Sequence, residues 1–199
     1  MTGTPGRPLS AELSEQLLSV AVDILAEEGW TKLNSDRVAA RARAGKAGIY
    51  RRWPTMAAMA RHAVSRFTLV VPPAPGGLSL RDDLLALVER WRRPLDREER
   101  AAASLVGAAR HDEDLRAGLD AALVRPLAAA VREIGARSAA RGQELAENRL
   151  ALLGSVLQAF WWQRFTAGGD GAMSDEQVDR VVDEVLLPIA LPVTETARI

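Results

Sequence analysis

The run from Asn34 to Trp53, NSDRVAARARAGKAGIYRRW, leaves little freedom in how it folds. Asn34 is a good N-cap, Asp36 stands in the first turn where the helix dipole favours an anion, and Val38, Ala39 and Ala42 supply a small apolar face. A short, capped helix is expected. Arg43-Ala44-Gly45 then provides a turn, in which Gly45 can also cap the next helix. That second helix is predicted from about Lys46 to Trp53. At 100° per residue, Ile49, Arg52 and Trp53 fall on one side, and Lys46, Ala47, Tyr50 and Arg51 on the other with Gly48 at the margin. The first set can pack inward and the second can face a groove, as in a helix-turn-helix.

Charge is distributed to match. The whole chain is balanced, with 26 basic and 26 acidic residues, which alone suggests no polyanionic partner. Residues 32–66 nevertheless hold nine basic side chains (Lys32, Arg37, Arg41, Arg43, Lys46, Arg51, Arg52, Arg61, Arg66) against the single acid Asp36. A solvated helix pair in an arginine-rich chain would show a similar run. Joined to the turn and the tyrosine, the excess reads as a footprint for DNA phosphates.

Helix signals dominate elsewhere and strand signals are nearly absent. Ser10 can cap a first helix carrying Leu13, Leu17, Val20, Ala21 and Ile24 and stopping at Gly29. Thr55 can cap a fourth, with Met56, Met59, Ala63, Phe67 and Val70 on one face. Pro72, Pro73, Pro75, Gly76 and Gly77 mark the clearest break. Ser79 to Asp82 opens the next helix, which ends before Pro94, and Asp96 with Glu99 opens another through about Ala109. A longer stretch from Asp112 to Arg141 is expected to kink at Pro126 and close at Gly142. Ala146 to Ala167 is unusually apolar, and Ser174 with Gln177 caps a last helix ending at Pro188. The expected organisation is an arm at 1–9, a helix-turn-helix domain at 10–54, a connecting helix at 55–71, a C-terminal domain at 72–190 and a tail at 191–199.

With 199 residues and 48% hydrophobic content, the chain can bury a sizeable core. It has no cysteine, so disulfides and thiolate metal sites are excluded, and its two histidines, His62 and His111, offer no metal spacing. No cofactor or metal is expected. The start, MTGTPGRPL, lacks the apolar core of a signal peptide, and no apolar stretch approaches membrane-spanning length. A cytoplasmic protein with no membrane partner is expected. No phosphate loop after a strand, nucleophile elbow or zinc motif is present, which argues against an enzyme. Gly6-Arg7-Pro8 has the form of a minor-groove arm, although a disordered start fits it as well.

Residues 11–64, above all VAARARAGKAGIYRRWPTMAAMARHAV from Val38 to Val64, resemble the N-terminal domain of the tetracycline-repressor (TetR/AcrR) family of bacterial regulators. The pattern hydrophobic-Ala-x-x-Ala, a turn, then a helix ending hydrophobic-Tyr-x-x-aromatic stands at the right spacing. The resemblance implies an all-α chain with a three-helix DNA-binding head, a connecting helix, and a helical body that dimerises and binds a small molecule. The chain departs from that family where its turn commonly has Gly (Arg43 here), Ser or Thr (Gly45), Thr (Gly48) and, at the start of the fourth helix, Lys (Met56). Each change at Gly45, Gly48 and Met56 removes a hydroxyl or charge able to meet phosphate, and Gly48 costs about 1 kcal/mol relative to Ala inside a helix.

The expected DNA contacts are Asn34, Arg43, Lys46, Ala47, Gly48, Tyr50, Arg51 and Arg52, with Lys46 and Tyr50 foremost. The apolar surplus of the last two long helices suits the family's four-helix dimer interface, with Leu150, Leu153, Leu157, Val178, Val182 and Val185 as candidates. A homodimer would place two recognition helices one turn of duplex apart and so favour a palindromic operator. Trp91, Leu105, Leu123, Phe160, Trp161, Trp162 and Phe165, with Arg164, His111 or Gln163 as polar anchors, are candidates for an effector pocket, although such a stripe serves a plain core as well. The expected function is a ligand-released regulator, a repressor by the family's habit. The alternative is a helical ligand-binding or interaction protein whose DNA head has degenerated.

Overall fold

The computed structural model describes residues 10–73 and 77–191, and every regular element among them is helical, so the chain is all-α. The expected arm at 1–9, residues 74–76 of the proline-glycine break and all but the first residue of the tail lie outside the described residues.

Helix α1, Ala11–Glu28, starts where the Ser10 side chain accepts from the Leu13 amide and ends at Gly29, whose φ of 83° no β-carbon opposes. It packs on α2 (Ser35–Ala42) and α4 (Met56–Val64) on one side and on α6 (Arg97–Ala103) on another. That is why Leu17, Leu18, Ala21, Val22, Ile24 and Leu25 are all buried. The short α3, Lys46–Tyr50, comes after α2 and a tight turn.

Helices α3, α4 and α6 are shorter than the periodicity predicts, α3 ending at Tyr50 and not at Trp53. Helix α4 stops at Val64 and does not reach Val70. Val71 precedes a proline and is biased away from the helical region, and Arg90 donates to the carbonyls of Thr68 (2.9 Å) and Leu69 (3.2 Å), which a helix would have used itself. Helix α5, Leu80–Val88, tightens into a 3₁₀ turn at Glu89–Arg92. Helix α6 begins with the expected Asp96/Glu99 capping box but ends at Ala103, where the Ser104 hydroxyl donates back to the Ala101 carbonyl at 2.8 Å.

Prolines 126 and 188 are absorbed by the same device. Helix α7 (Glu113–Leu119) runs into α8 (Arg125–Ala140) through one π turn, Asp120–Val124, and α10 (Asp175–Val181) runs into α11 (Leu187–Ala190) through another, Val182–Leu186. The Arg125 and Leu187 amides donate to carbonyls five residues back, and the wider turn relieves the clash of a proline ring with the preceding turn. The last helix therefore passes Pro188, where a stop was expected. Between these pairs lies α9, Glu147–Thr166.

The N-terminal helices dock on the rest along two seams. Along α1 and α6, Arg97 donates to Asp23 (2.6 Å) and to the Ser19 carbonyl (2.8 Å). Along α4 and α7, Arg61 pairs with Asp114 at 2.9 Å, and Gly118 brings the two backbones close. In the body, the buried Asp83 of α5 receives Arg137 of α8 (3.3 Å) and Arg141 at its C-cap (2.7 Å), which fastens α5 to α8.

Candidate DNA-binding interface

The turn between α2 and α3 is a Schellman motif. Arg43 sits in the left-handed region at φ 51°, its amide donates to Ala40, and the Ala44 amide donates to Ala39. A non-glycine residue there carries about 1 kcal/mol of strain. Gly45 caps α3 in extended conformation and offers no side-chain acceptor. Ile49 and Trp53 are buried beneath α3, and the Trp53 Nε1–H donates to His62 Nδ1 at 3.0 Å, so α4 supports the end of the recognition segment.

Lys46, Ala47, Tyr50 and Arg51 share the outer face of this segment, and Gly48 is half-buried at its edge. Tyr50 is 51% exposed, and its hydroxyl donates to Ser35 Oγ at 3.0 Å, which fixes the ring across the mouth of the motif. Lys46 pairs with Asp36 of α2, and that hydrogen bond raises its pKa above the ordinary lysine value. Arg43 and Arg51 project with no acidic partner among the described residues. The outer face thus offers two guanidinium groups without an acidic partner among the described residues, beside a lysine held by Asp36 and a tyrosine hydroxyl held by Ser35. By contrast, Arg37 and Arg41 of α2 are neutralised by Glu28, with Glu27 also on Arg41.

Two expected contact residues have other work. Arg52 turns back on α1, donating to Ser14 Oγ (2.8 Å), the Ser10 carbonyl (3.2 Å) and its own helix at Gly48 (2.8 Å). Asn34 spends its oxygen on the Arg37 amide (2.9 Å) and its amide nitrogen on the Lys32 carbonyl (3.3 Å). Both roles agree with the local pattern, which puts Arg52 on the inward side with Ile49 and Trp53 and makes Asn34 the N-cap of α2.

Of the expected effector residues, Phe160, Gln163 and Arg164 border one opening and Trp162 another, and the rest are not brought to either. Trp91, Leu105, Leu123 and Trp161 are buried in the core, where Trp91 packs on Phe160 (5.4 Å between rings) and edge-on to Trp161 (6.4 Å). His111 is exposed. Arg164 is buried and committed: it donates to the carbonyls of Trp91 (3.2 Å), Arg93 (3.0 Å) and Gly171 and pairs with buried Glu99 at 3.4 Å. Burial pulls its guanidinium below the ordinary arginine value, and Glu99 opposes that shift. Four of the six dimer candidates are likewise corrected. Leu153, Leu157, Val178 and Val182 are fully buried within the single chain and cannot meet a partner. Leu150 and Val185 are half-buried, and Leu150 covers Gly135 of α8. A helix apolar all round shows its moment poorly, so the sequence could not say which side the chain itself would cover.

An all-helical chain with a basic, tyrosine-bearing helix-turn-helix at one end and a larger helical body defines a DNA-binding transcriptional regulator. Residues 17–63 match the family described as bacterial regulatory proteins of the tetR family, and residues 74–185 match the tetracyclin repressor-like C-terminal domain. The chain is 31% identical over 184 residues to a DNA-binding transcriptional repressor TetR of Mycobacteroides abscessus, covering 90% of this chain and 94% of that one. In fold it is similar to crystal structures of TetR-family regulators from Rhodococcus sp. (TM-score 0.61, 18% identity, 91% of this chain and 100% of that one) and Pseudomonas syringae (TM-score 0.60, 20% identity, 91% and 96%). The chain belongs to the TetR family of transcriptional regulators. Among the described residues no helix is long and apolar enough to cross a membrane.

Proposed function

We propose that the chain works as a homodimeric repressor that grips a palindromic operator with Lys46, Tyr50, Arg43 and Arg51 and lets go when a small molecule binds its C-terminal body. The observation that carries this reading is the outer face of α3, where Tyr50 stands half-exposed beside Lys46 and two arginines that have no acidic partner among the described residues. Guanidinium groups at that spacing suit phosphate oxygens, the Tyr50 hydroxyl can join them by exchanging its bond to Ser35 for one to DNA, and Ala47 and Gly48 let the helix sit close to base edges. The division into a head at 10–54, a link at 55–71 and a body at 72–190 is drawn at the proline-glycine break. The partner-facing surface is assigned to the side of α9 that the chain leaves open, Ala151, Leu152, Ser155 and Ala159, and to half-buried Val185 of the last helical stretch. Leu152 is 47% exposed there.

The test is selection of bound duplexes from a randomised pool at near-physiological salt, with wild type and Tyr50→Ala in parallel. An enriched palindrome lost with Tyr50→Ala is expected. Folded wild-type dimer that enriches nothing would point to a degenerate head, and a palindrome held equally by Tyr50→Ala would remove that residue from the interface.

A further inference from the structure

One cavity opens between α8 and α9 and another between α9, α7 and the segment before α7, and they share Val124 and Gln158. The one along α8 and the start of α9, about 400 Å³, has Arg132 and Glu147 as its ionic lining, one of each sign. It also touches neither seam to the N-terminal helices.

The other cavity, about 460 Å³, lies within the size range of small-molecule sites. Val106, Ala109, Leu119, Val124 and the half-buried indole of Trp162 give it apolar walls. Its polar edge is lopsided. Asp120 is already taken by Arg125 at 3.0 Å. Arg116 stands 3.9 Å from Glu113, too far for a hydrogen bond, and Arg110 has no acidic partner among the described residues. An apolar chamber edged by two underused guanidinium groups suits a carboxylate on an apolar body, which arginine can hold through two parallel hydrogen bonds.

The position of this cavity gives it a route to the DNA head. One wall is the end of α7 and the π turn, through Arg116, Leu119 and Asp120. The neighbouring Gly118 lies on the seam with α4, where a β-carbon would come within 3.1 Å of the Arg61 Cα. A guest pressing on Leu119 therefore presses on an element that has no slack against α4.

We propose that this cavity is the effector site and that its ligand is an amphipathic monocarboxylate, anchored by Arg110 and Arg116 with its apolar part against Leu119, Val124 and Trp162. The assignment rests on the reading of the chain as a ligand-released regulator.

The test uses the full-length protein and isothermal titration with decanoate, decanol and decyltrimethylammonium. Decanoate is expected to bind, decanol about tenfold or more weakly, and the cation not measurably. Arg110→Ala should cost decanoate about tenfold and leave decanol unchanged, and Arg110→Lys should recover much of the loss. Gln158→Trp, which narrows the cavity from the α9 side, should abolish decanoate binding. Absence of decanoate binding, equal affinity for decanoate and decanol, or indifference to Arg110→Ala or Gln158→Trp would each overturn the assignment. Calorimetry needs no DNA, so the two readings fail separately. Decanoate bound by a protein that enriches no operator would sink the regulator reading and, with it, the word effector, while the carboxylate site would stand. A palindrome enriched by a protein blind to decanoate would sink the cavity assignment alone.

Discussion

Gly118 and Arg61 set the distance between the body and the DNA head: a β-carbon on Gly118 would lie 3.1 Å from the Arg61 Cα and 3.5 Å from its carbonyl oxygen. The neighbour is backbone, so it cannot swing aside as a side chain would. Gly135 offers the internal contrast, since its β-carbon would meet the Leu150 methyl groups, the nearest at 2.7 Å, at the end of a side chain that can rotate.

Gly118→Val is accordingly expected to force α7 from α4, at a cost of about 1–3 kcal/mol, and to change operator affinity. Gly135→Ala should cost less and leave DNA binding alone, because Leu150 can turn away. Thermal melts and fluorescence anisotropy on a labelled operator would check both. Equal melting points and equal affinities for the two variants would show that the α4/α7 seam is not rigid.

The head was largely legible in the sequence. Ser10, Asn34 and Thr55 cap their helices where they stand as caps in the sequence, Gly29 ends α1, and Ile49 and Trp53 point inward as the 100° wheel requires. The body was less so, for reasons particular to its residues. The Thr68 and Leu69 carbonyls are claimed by Arg90, 22 and 21 residues away, which no local pattern reveals. Pro126 and Pro188 stop nothing because a π turn precedes each, a solution that periodicity does not encode. Arg164 looked like a ligand anchor because its partners, Glu99 and three carbonyls, arrive from other segments.

The two glycines of the turn and recognition helix leave stability unused. A β-carbon on Gly48 would meet the Arg52 guanidinium at 3.7 Å, an ordinary contact, and one on Gly45 would meet nothing within 4 Å. Gly48→Ala should stabilise the chain by up to about 1 kcal/mol, and Gly45→Ser by ~0.3 kcal/mol through the missing N-cap acceptor. Denaturant melts give both numbers. If Gly48→Ala also weakens operator binding, the helix needs its bare backbone against DNA; unchanged affinity would assign the glycine no such role.

Arg164→Ala separates a structural arginine from a ligand anchor. Removing it leaves Glu99 buried with one partner fewer and frees three carbonyls, so a loss of about 3–5 kcal/mol is expected, as for breaking a buried pair. A folded, stable variant that has lost only small-molecule binding would restore Arg164 to the effector site.

Asp96 predicts an acid limb in the stability curve. Burial raises its pKa, but the Glu99 amide and then Arg93 and Arg90 outweigh that and hold the carboxyl below its usual range. Since the folded value is the lower one, its stabilisation is complete above the unfolded value, near pH 4, and is lost as pH falls through the folded value. Asp96→Asn keeps a capping oxygen but cannot titrate, so its melting temperature should fall less steeply than that of wild type below about pH 4. Parallel acid limbs for the two proteins would show that other carboxylates dominate.

The last prediction concerns the ion pair at the edge of the motif. Lys46 is held by Asp36 in the free protein, so a DNA phosphate must compete with that carboxylate for the ammonium group. Asp36→Asn removes the competitor, and with it a negative charge that would face the duplex. Operator affinity is expected to rise, and non-specific affinity to rise with it, since the gain is to phosphate and carries no sequence information. Loss of Asp36 from the first turn of α2 should cost only about 0.3–1 kcal/mol. Lys46→Ala should weaken binding and reduce the slope of log affinity against log salt by about one. Affinities measured across a salt series for both variants decide the matter: an unchanged slope in Lys46→Ala would mean that the lysine stays with Asp36 in the complex and that Arg43 and Arg51 carry the phosphate contacts of this face.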